Sequence, residues 1–144
     1  MATIGIELCD AGFLTATSES DPPRLLEVAT QNGAGDWPGF CHHDGTKYAF
    51  GRAAEDMWFV QPRRVAHNFW ARLAHEPATI QVGLKPPSYS ELAFFFLREF
   101  TARLKVAAGT PEQIVLAIPG AYLKDEVLAD EKIGLLLGMA GELK

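Results

Sequence analysis

The chain of 144 residues contains only two cysteines and three methionines, and its longest apolar run, Leu92–Leu97, is six residues. A membrane-spanning helix needs about 20 such residues, so none is expected. Cys9 and Cys41 lack the close spacing of a metal-binding pair and read as free, reduced thiols. A surplus of positive charge is also missing. Thirteen Lys and Arg against eighteen Asp and Glu give a net charge of −5, with no basic run longer than Arg63-Arg64. That balance argues against nucleic acid or an anionic membrane as a partner. The N-terminus has neither the basic nor the apolar segment of a secretory signal, so a cytoplasmic protein is expected.

What is present is the composition of a soluble globular domain, 48% hydrophobic and 22% charged, and the length suffices for one core. At the start, Ile4, Ile6 and Leu8 alternate with Gly5 and Glu7, which predicts a strand. Asp10-Ala11-Gly12 predicts a turn, and "GFLTATSE" predicts a second strand with Phe13, Thr15 and Thr17 on one face. After the break at Ser20-Asp21-Pro22-Pro23, "RLLEVATQ" (24–31) predicts a third.

From Asn32 to Pro87 the texture changes to that of an insertion. "NGAGDWPG" is turn-rich. "FCHHDGTKYAFG" predicts two short strands around Asp44-Gly45, with His42 and His43 as solvent-facing turn residues that do not converge on a metal. "RAAEDMWFVQ" predicts a short helix stopped by Pro62, and Val65, Phe69, Trp70 and Leu73 follow at near-helical spacing. Most of its aromatics, from Trp37 to Trp70, are expected in the core.

Ser88 and Glu91 form a capping-box pattern ahead of an apolar stripe of Tyr89, Leu92, Ala93, Phe96, Leu97, Phe100 and Leu104. Phe94 and Phe95 widen that stripe, either to pack a second element or to meet a partner. Gly109-Thr110-Pro111 ends this helix. "EQIVLAIP" predicts a buried, parallel strand. Asp125 caps a last helix to about Ala140, with Gly134, Gly138 and Gly141 allowing close approach to a sheet. The expected class is α/β, in the order β-β-β, insertion, α-β-α.

Three stretches resemble the Hsp70 family of actin-like ATPases. "IGIELCDAG" is similar to the family's first phosphate loop, I-G-I-D-L-G-T-T. "DGTKYAFGRAAEDMWFVQP" is similar to the D-G-x-x-x-x-G-x-A-A-K segment of its inserted subdomain. "PEQIVLAIPGAYLKDE" is similar to its strand and turn T-x-A-V-(I/V)-T-V-P-A-Y-F-x-D, with one extra residue at Gly120 or Ala121. The resemblance implies a ribonuclease H-like lobe ending before the next strand. Residues 1–31 and 88–144 would form that lobe, and residues 32–87 the inserted subdomain. It further implies one wall of a cleft for ATP and magnesium, completed by the remaining half of the nucleotide-binding domain in a longer protein. No tightly bound cofactor is expected on this chain alone.

On that resemblance Glu7, Cys9, Asp10, Ala11 and Gly12 are the phosphate-loop residues, with Glu7 in the place of an aspartate that orients magnesium-bound water. Cys9 replaces a glycine that lets the backbone approach phosphate, and Asp10 and Ala11 replace two hydroxyl donors. An Asp10 carboxylate about 4 Å from a phosphate would repel it by roughly 4 kcal/mol at an effective dielectric near 20. Glu55 stands at the lysine of G-x-A-A-K, a reversal of charge that opposes phosphoryl transfer; Arg52 and Arg72 are the candidates to offset it. The implied function is a chaperone-related ATP-binding lobe whose hydrolysis is weak or absent. The alternative is a non-catalytic interaction module that self-associates through an open sheet edge or the Phe94/Phe95 face; a small-molecule kinase of the same superfamily fits the inserted segment less well.

Overall fold

A computed structural model describes residues 2–30, 33 and 35–143. Gln31, at the end of the expected third strand, and Asn32 and Ala34, in the turn-rich loop, lie outside the described residues, as do Met1 and Lys144. The fold is mixed α/β, with two sheets and three α-helices among the described residues.

The first sheet is built from β1 (Thr3–Glu7), β2 (Leu14–Thr17), β3 (Arg24–Leu25) and β7 (Gln113–Ala117), in the order β3-β2-β1-β7. β1 runs antiparallel to β2, in register Ile4↔Thr17 to Glu7↔Leu14, and parallel to β7, in register Thr3↔Gln113 to Glu7↔Ala117. The alternation read from the sequence is the alternation of burial. Ile4, Ile6 and Leu8 are buried with Phe13, Thr15 and Thr17, while Glu7 and Leu14 are exposed. The third strand is shorter than expected. β3 pairs only through Arg24 and Leu25, with one further bond from Leu26 N–H to the Thr15 carbonyl at 2.8 Å. Beyond it, Val28 is buried and its carbonyl accepts from the Trp37 indole, so a side chain takes the place of a partner strand.

Between β3 and the long helix lies the second sheet, β4 (Phe40–His43), β5 (Tyr48–Phe50) and β6 (Val65–His67), antiparallel in the order β5-β4-β6. The β4–β5 turn is where the sequence places it. Asp44 Oδ1 accepts from Thr46 N–H at 2.7 Å, Lys47 N–H at 2.9 Å and the Thr46 hydroxyl at 2.8 Å. These bonds hold its carboxyl well below the usual carboxylate range. His42 and His43 are strand residues rather than solvent-facing turn residues. His42 is buried with Nε2 2.9 Å from Gln61 Oε1, and His43 Nδ1 accepts from Gly45 N–H.

Two helical readings in the insertion need correction. α1 covers only Arg52–Asp56. The near-helical spacing of Val65, Phe69, Trp70 and Leu73 is not a helix, because Val65–His67 pairs with β4 and turns follow. Burial of all four side chains, rather than a helical period, set that pattern.

α2 (Tyr89–Ala108) matches its prediction closely, with both halves of the capping box formed and Gly109 closing it at φ 73°. Its buried side face joins Ile4, Ile6, Phe13, Trp37, Phe69 and Trp70 in one hydrophobic cluster, so insertion and main sheet share a core. Phe95 packs against Tyr48 at 5.4 Å between ring centroids, and the Arg98 guanidinium lies over both Phe94 and Phe95.

β7 is parallel to β1 as expected but is not buried. Ile114 is 44% and Val115 50% exposed, because β7 pairs on one side only among the described residues. α3 (Glu126–Glu142) is capped by Asp125, whose carboxylate accepts from the N–H groups of Val127 and Leu128. It buries Ala129, Leu136 and Met139. Gly134, Gly138 and Gly141 have open space where a Cβ would project, so they do not serve close approach to a sheet. None of the described helices is long and apolar enough to cross a membrane.

Candidate functional site

The turn after β1 is fixed by backbone on two sides. Leu8 N–H donates to the Ala117 carbonyl at 2.9 Å, extending the parallel ladder by one residue. Gly12 N–H closes on the Cys9 carbonyl at 3.3 Å, Gly39 N–H donates to the Asp10 carbonyl at 2.8 Å, and Phe13 N–H to the Trp37 carbonyl at 3.2 Å. Position 39 demands glycine, since a Cβ there would fall 2.9 Å from Asp10 Cα. Glu7, Cys9, Ala11 and Gly12 consequently face a common cleft of about 550 Å³, which Asp36 and Arg52 also line.

Asp10 does not face that cleft. Its carboxylate turns inward and accepts from Trp70 N–H at 3.1 Å and Ala71 N–H at 2.9 Å. Burial pushes its carboxyl above the ordinary value, against the opposing pull of the two amides and of His67. The expected repulsion between Asp10 and a phosphate therefore has no direct path; the charge serves to tie the first turn to the insertion.

Three elements meet at residues 70–73. Asp10 holds the amides, the Tyr122 hydroxyl donates to the Trp70 carbonyl, and Lys132 Nζ donates to the carbonyls of Ala71 at 3.2 Å and Leu73 at 3.1 Å. The ammonium also sits 5.1 Å from the centroid of the Tyr122 ring. Burial holds the Tyr122 hydroxyl protonated as the donor. Replacing Tyr122 by Phe removes one hydrogen bond from a buried position and should cost about 1 kcal/mol in urea unfolding. No sequence spacing signals this meeting point, whose partners lie 52 to 61 residues apart.

Glu55, on α1, does not line the cleft either. It pairs with Arg52, whose second nitrogen reaches Asp36 Oδ2 at 3.0 Å. Gly51 makes this possible with φ 80° and a backbone so close to the Asp36 carbonyl that a Cβ would lie 2.8 Å from it. The insertion thus presents a cation to the cleft, but one already shared between two carboxylates. The hydrogen bond to Asp36, with the charge of Glu55 beside it, holds the guanidinium above its ordinary value. Arg72 is directed elsewhere, 4.5 Å from the centroid of the Tyr89 ring.

The cleft carries Glu7, Glu27 and Asp36 against Arg52 alone. An acidic lining, an occupied arginine and a Gly12 amide spent on the Cys9 carbonyl suit a polyphosphate poorly. Cys9 is half-buried and free, and Cys41 is buried, where desolvation pushes its thiol far up and leaves it unreactive. No group of three or more metal-ligating side chains occurs among the described residues. No family model matches the chain, and no curated protein matches it at a significant level.

Proposed function

We infer that this chain is the N-terminal lobe of an actin-like, Hsp70-type domain, ribonuclease H-like in architecture and cytoplasmic, whose phosphate-contacting positions no longer support ATP hydrolysis. The observation that carries this reading is the sheet order β3-β2-β1-β7, with β7 parallel to β1 and a small antiparallel sheet inserted between β3 and α2. That arrangement supports the ribonuclease H-like reading, and so does the position of the turn after β1 at the wall of a cleft. Glu7, Cys9, Ala11 and Gly12 are the residues assigned to that degenerate loop.

ATP and magnesium fit the residues present badly, so no hydrolytic step is assigned to them. Glu55 enters this reading only through Arg52, which it neutralises, rather than by facing phosphate. Mg-ATP should leave the backbone amides of Cys9 and Gly12 unperturbed, and the chain should release no phosphate from it. Micromolar affinity with turnover would sink the degenerate-loop reading.

A second reading, a non-catalytic interaction module on the same fold, is favoured by β7. Gln113–Ala117 carries no charge, and Ile114 and Val115 are half-exposed on opposite faces of an edge strand. Phe94 and Phe95 serve this reading less well because Tyr48 and Arg98 already cover them in part. Light scattering that finds a clean monomer at all concentrations would count against self-association through this edge.

A further inference from the structure

A second cleft, sharing no residue with the first, lies between the β6 end of the insertion and the start of α2 and encloses about 670 Å³. That volume falls in the range of roughly 300–1,000 Å³ usual for small-molecule sites. Its electrostatics are the reverse of the first cleft's. Arg63, Arg72 and His67 line it, and no Asp or Glu does. In a chain of net charge −5 this is a local inversion of sign.

Neither Arg63 nor Arg72 has a side-chain hydrogen bond or an ion pair among the described residues. The Arg72 guanidinium lies over the Tyr89 ring, 4.5 Å from its centroid, a contact that uses none of its N–H donors. The carboxylate acting on His67, that of Asp10, is already taken up by the amides of Trp70 and Ala71. Trp58 stands edge-on to His67, 4.6 Å between centroids, and supplies a half-exposed aromatic wall. Asn68, also in the lining, adopts φ 60°, a left-handed conformation that asparagine tolerates better than most residues.

We propose that this cleft binds a small organic anion carrying a planar ring. The free edges of Arg63 and Arg72 take the carboxylate or phosphate, and Trp58 packs against the ring. Bidentate guanidinium contacts favour a planar or tetrahedral oxyanion over a halide.

The test uses AMP, adenosine and inorganic phosphate as probes on the intact chain, followed by calorimetry and by the indole N–H resonance of Trp58. AMP should bind saturably and shift that resonance, while adenosine or phosphate alone binds at least tenfold more weakly. The double variant Arg63→Ala/Arg72→Ala should lose at least tenfold in AMP affinity while its melting temperature stays within a few degrees of the wild type, the loss of the Arg72–Tyr89 contact accounting for the difference, and Arg63→Ala alone should lose part of the affinity. Absence of saturable AMP binding, or equal affinity in the double variant, overturns the proposal. So does phosphate binding as tightly as AMP. AMP that shifts the amides of Cys9 and Gly12 instead of Trp58 overturns it as well, and separately overturns the reading of the first cleft as unfit for phosphate.

Discussion

Phe96→Ala is expected to destabilise the protein by about 3–5 kcal/mol, the usual range for deleting a fully buried aromatic ring. Its ring is fully buried and lies 4.8 Å from the centroid of Phe13, 5.5 Å from Trp37 and Phe69, 5.6 Å from Phe50 and 5.9 Å from Trp70. Those neighbours come from the turn before β2, from β5, and from the segments of the insertion before β4 and after β6. The cavity would therefore open at the point where all the layers meet, and no single neighbour could relax to fill it. Against a total stability of about 5–15 kcal/mol the variant would sit near the limit of folding. Urea unfolding measures the loss, and Leu137→Ala, at an exposed position on α3, is the matched control expected within about 0.5 kcal/mol of the wild type. A loss below about 1 kcal/mol at Phe96 would mean that the sheet and the insertion do not share a core.

The second large effect is expected at Asp10. Asp10→Ala leaves the Trp70 and Ala71 amides without their acceptor and should cost about 2 kcal/mol at neutral pH. Asp10→Asn, which retains one carbonyl oxygen, should cost roughly half of that. The variants also differ in pH dependence. Burial raises the Asp10 carboxyl above its ordinary 3.8, so the folded protein holds that proton more tightly than the unfolded chain. Its contribution to stability is then fully present below the ordinary value and declines as pH rises through the raised one. Asparagine does not titrate, so the gap between wild type and Asp10→Asn should narrow as pH climbs from acid to neutral. Urea midpoints across that span read the trend, and a gap that widens instead would show that the amide hydrogen bonds outweigh desolvation.

Much of the fold was legible where local signals and burial agreed. The capping box and apolar stripe placed α2 because both act within one helix, and the two-residue period placed β1 and β2. The Asp44-Gly45 turn was readable because Asp44 satisfies its own neighbours. Where burial alone set the pattern, the reading failed. Val65, Phe69, Trp70 and Leu73 look helical, yet a strand and a turn bury the same four side chains. β7 reads as an interior strand, and only the sheet order reveals its open side. At the candidate site Glu7, Cys9, Ala11 and Gly12 line one cleft, but the directions of Asp10 and Glu55 were not legible. Asp10 is claimed by a pair of amides 60 and 61 residues away, which no local pattern identifies; Glu55 pairs with Arg52 three residues before it, a local pattern, but the tie of that arginine to Asp36 is not local.

The central position of β1 has a consequence for synthesis. It is made before the rest of its sheet, yet one of its two partners, β7, ends at Ala117, and Asp10 waits for amides 60 and 61 residues downstream. Contacts of such sequence separation close slowly, because the loop entropy is lost before the pairing is gained. On the ribosome, β1 can pair early with β2 alone, and its other edge must therefore stay open until β7 has emerged. A nascent chain arrested before Glu112 should expose that strand to chaperones and proteases, and release of β7 should end the exposure in a single step.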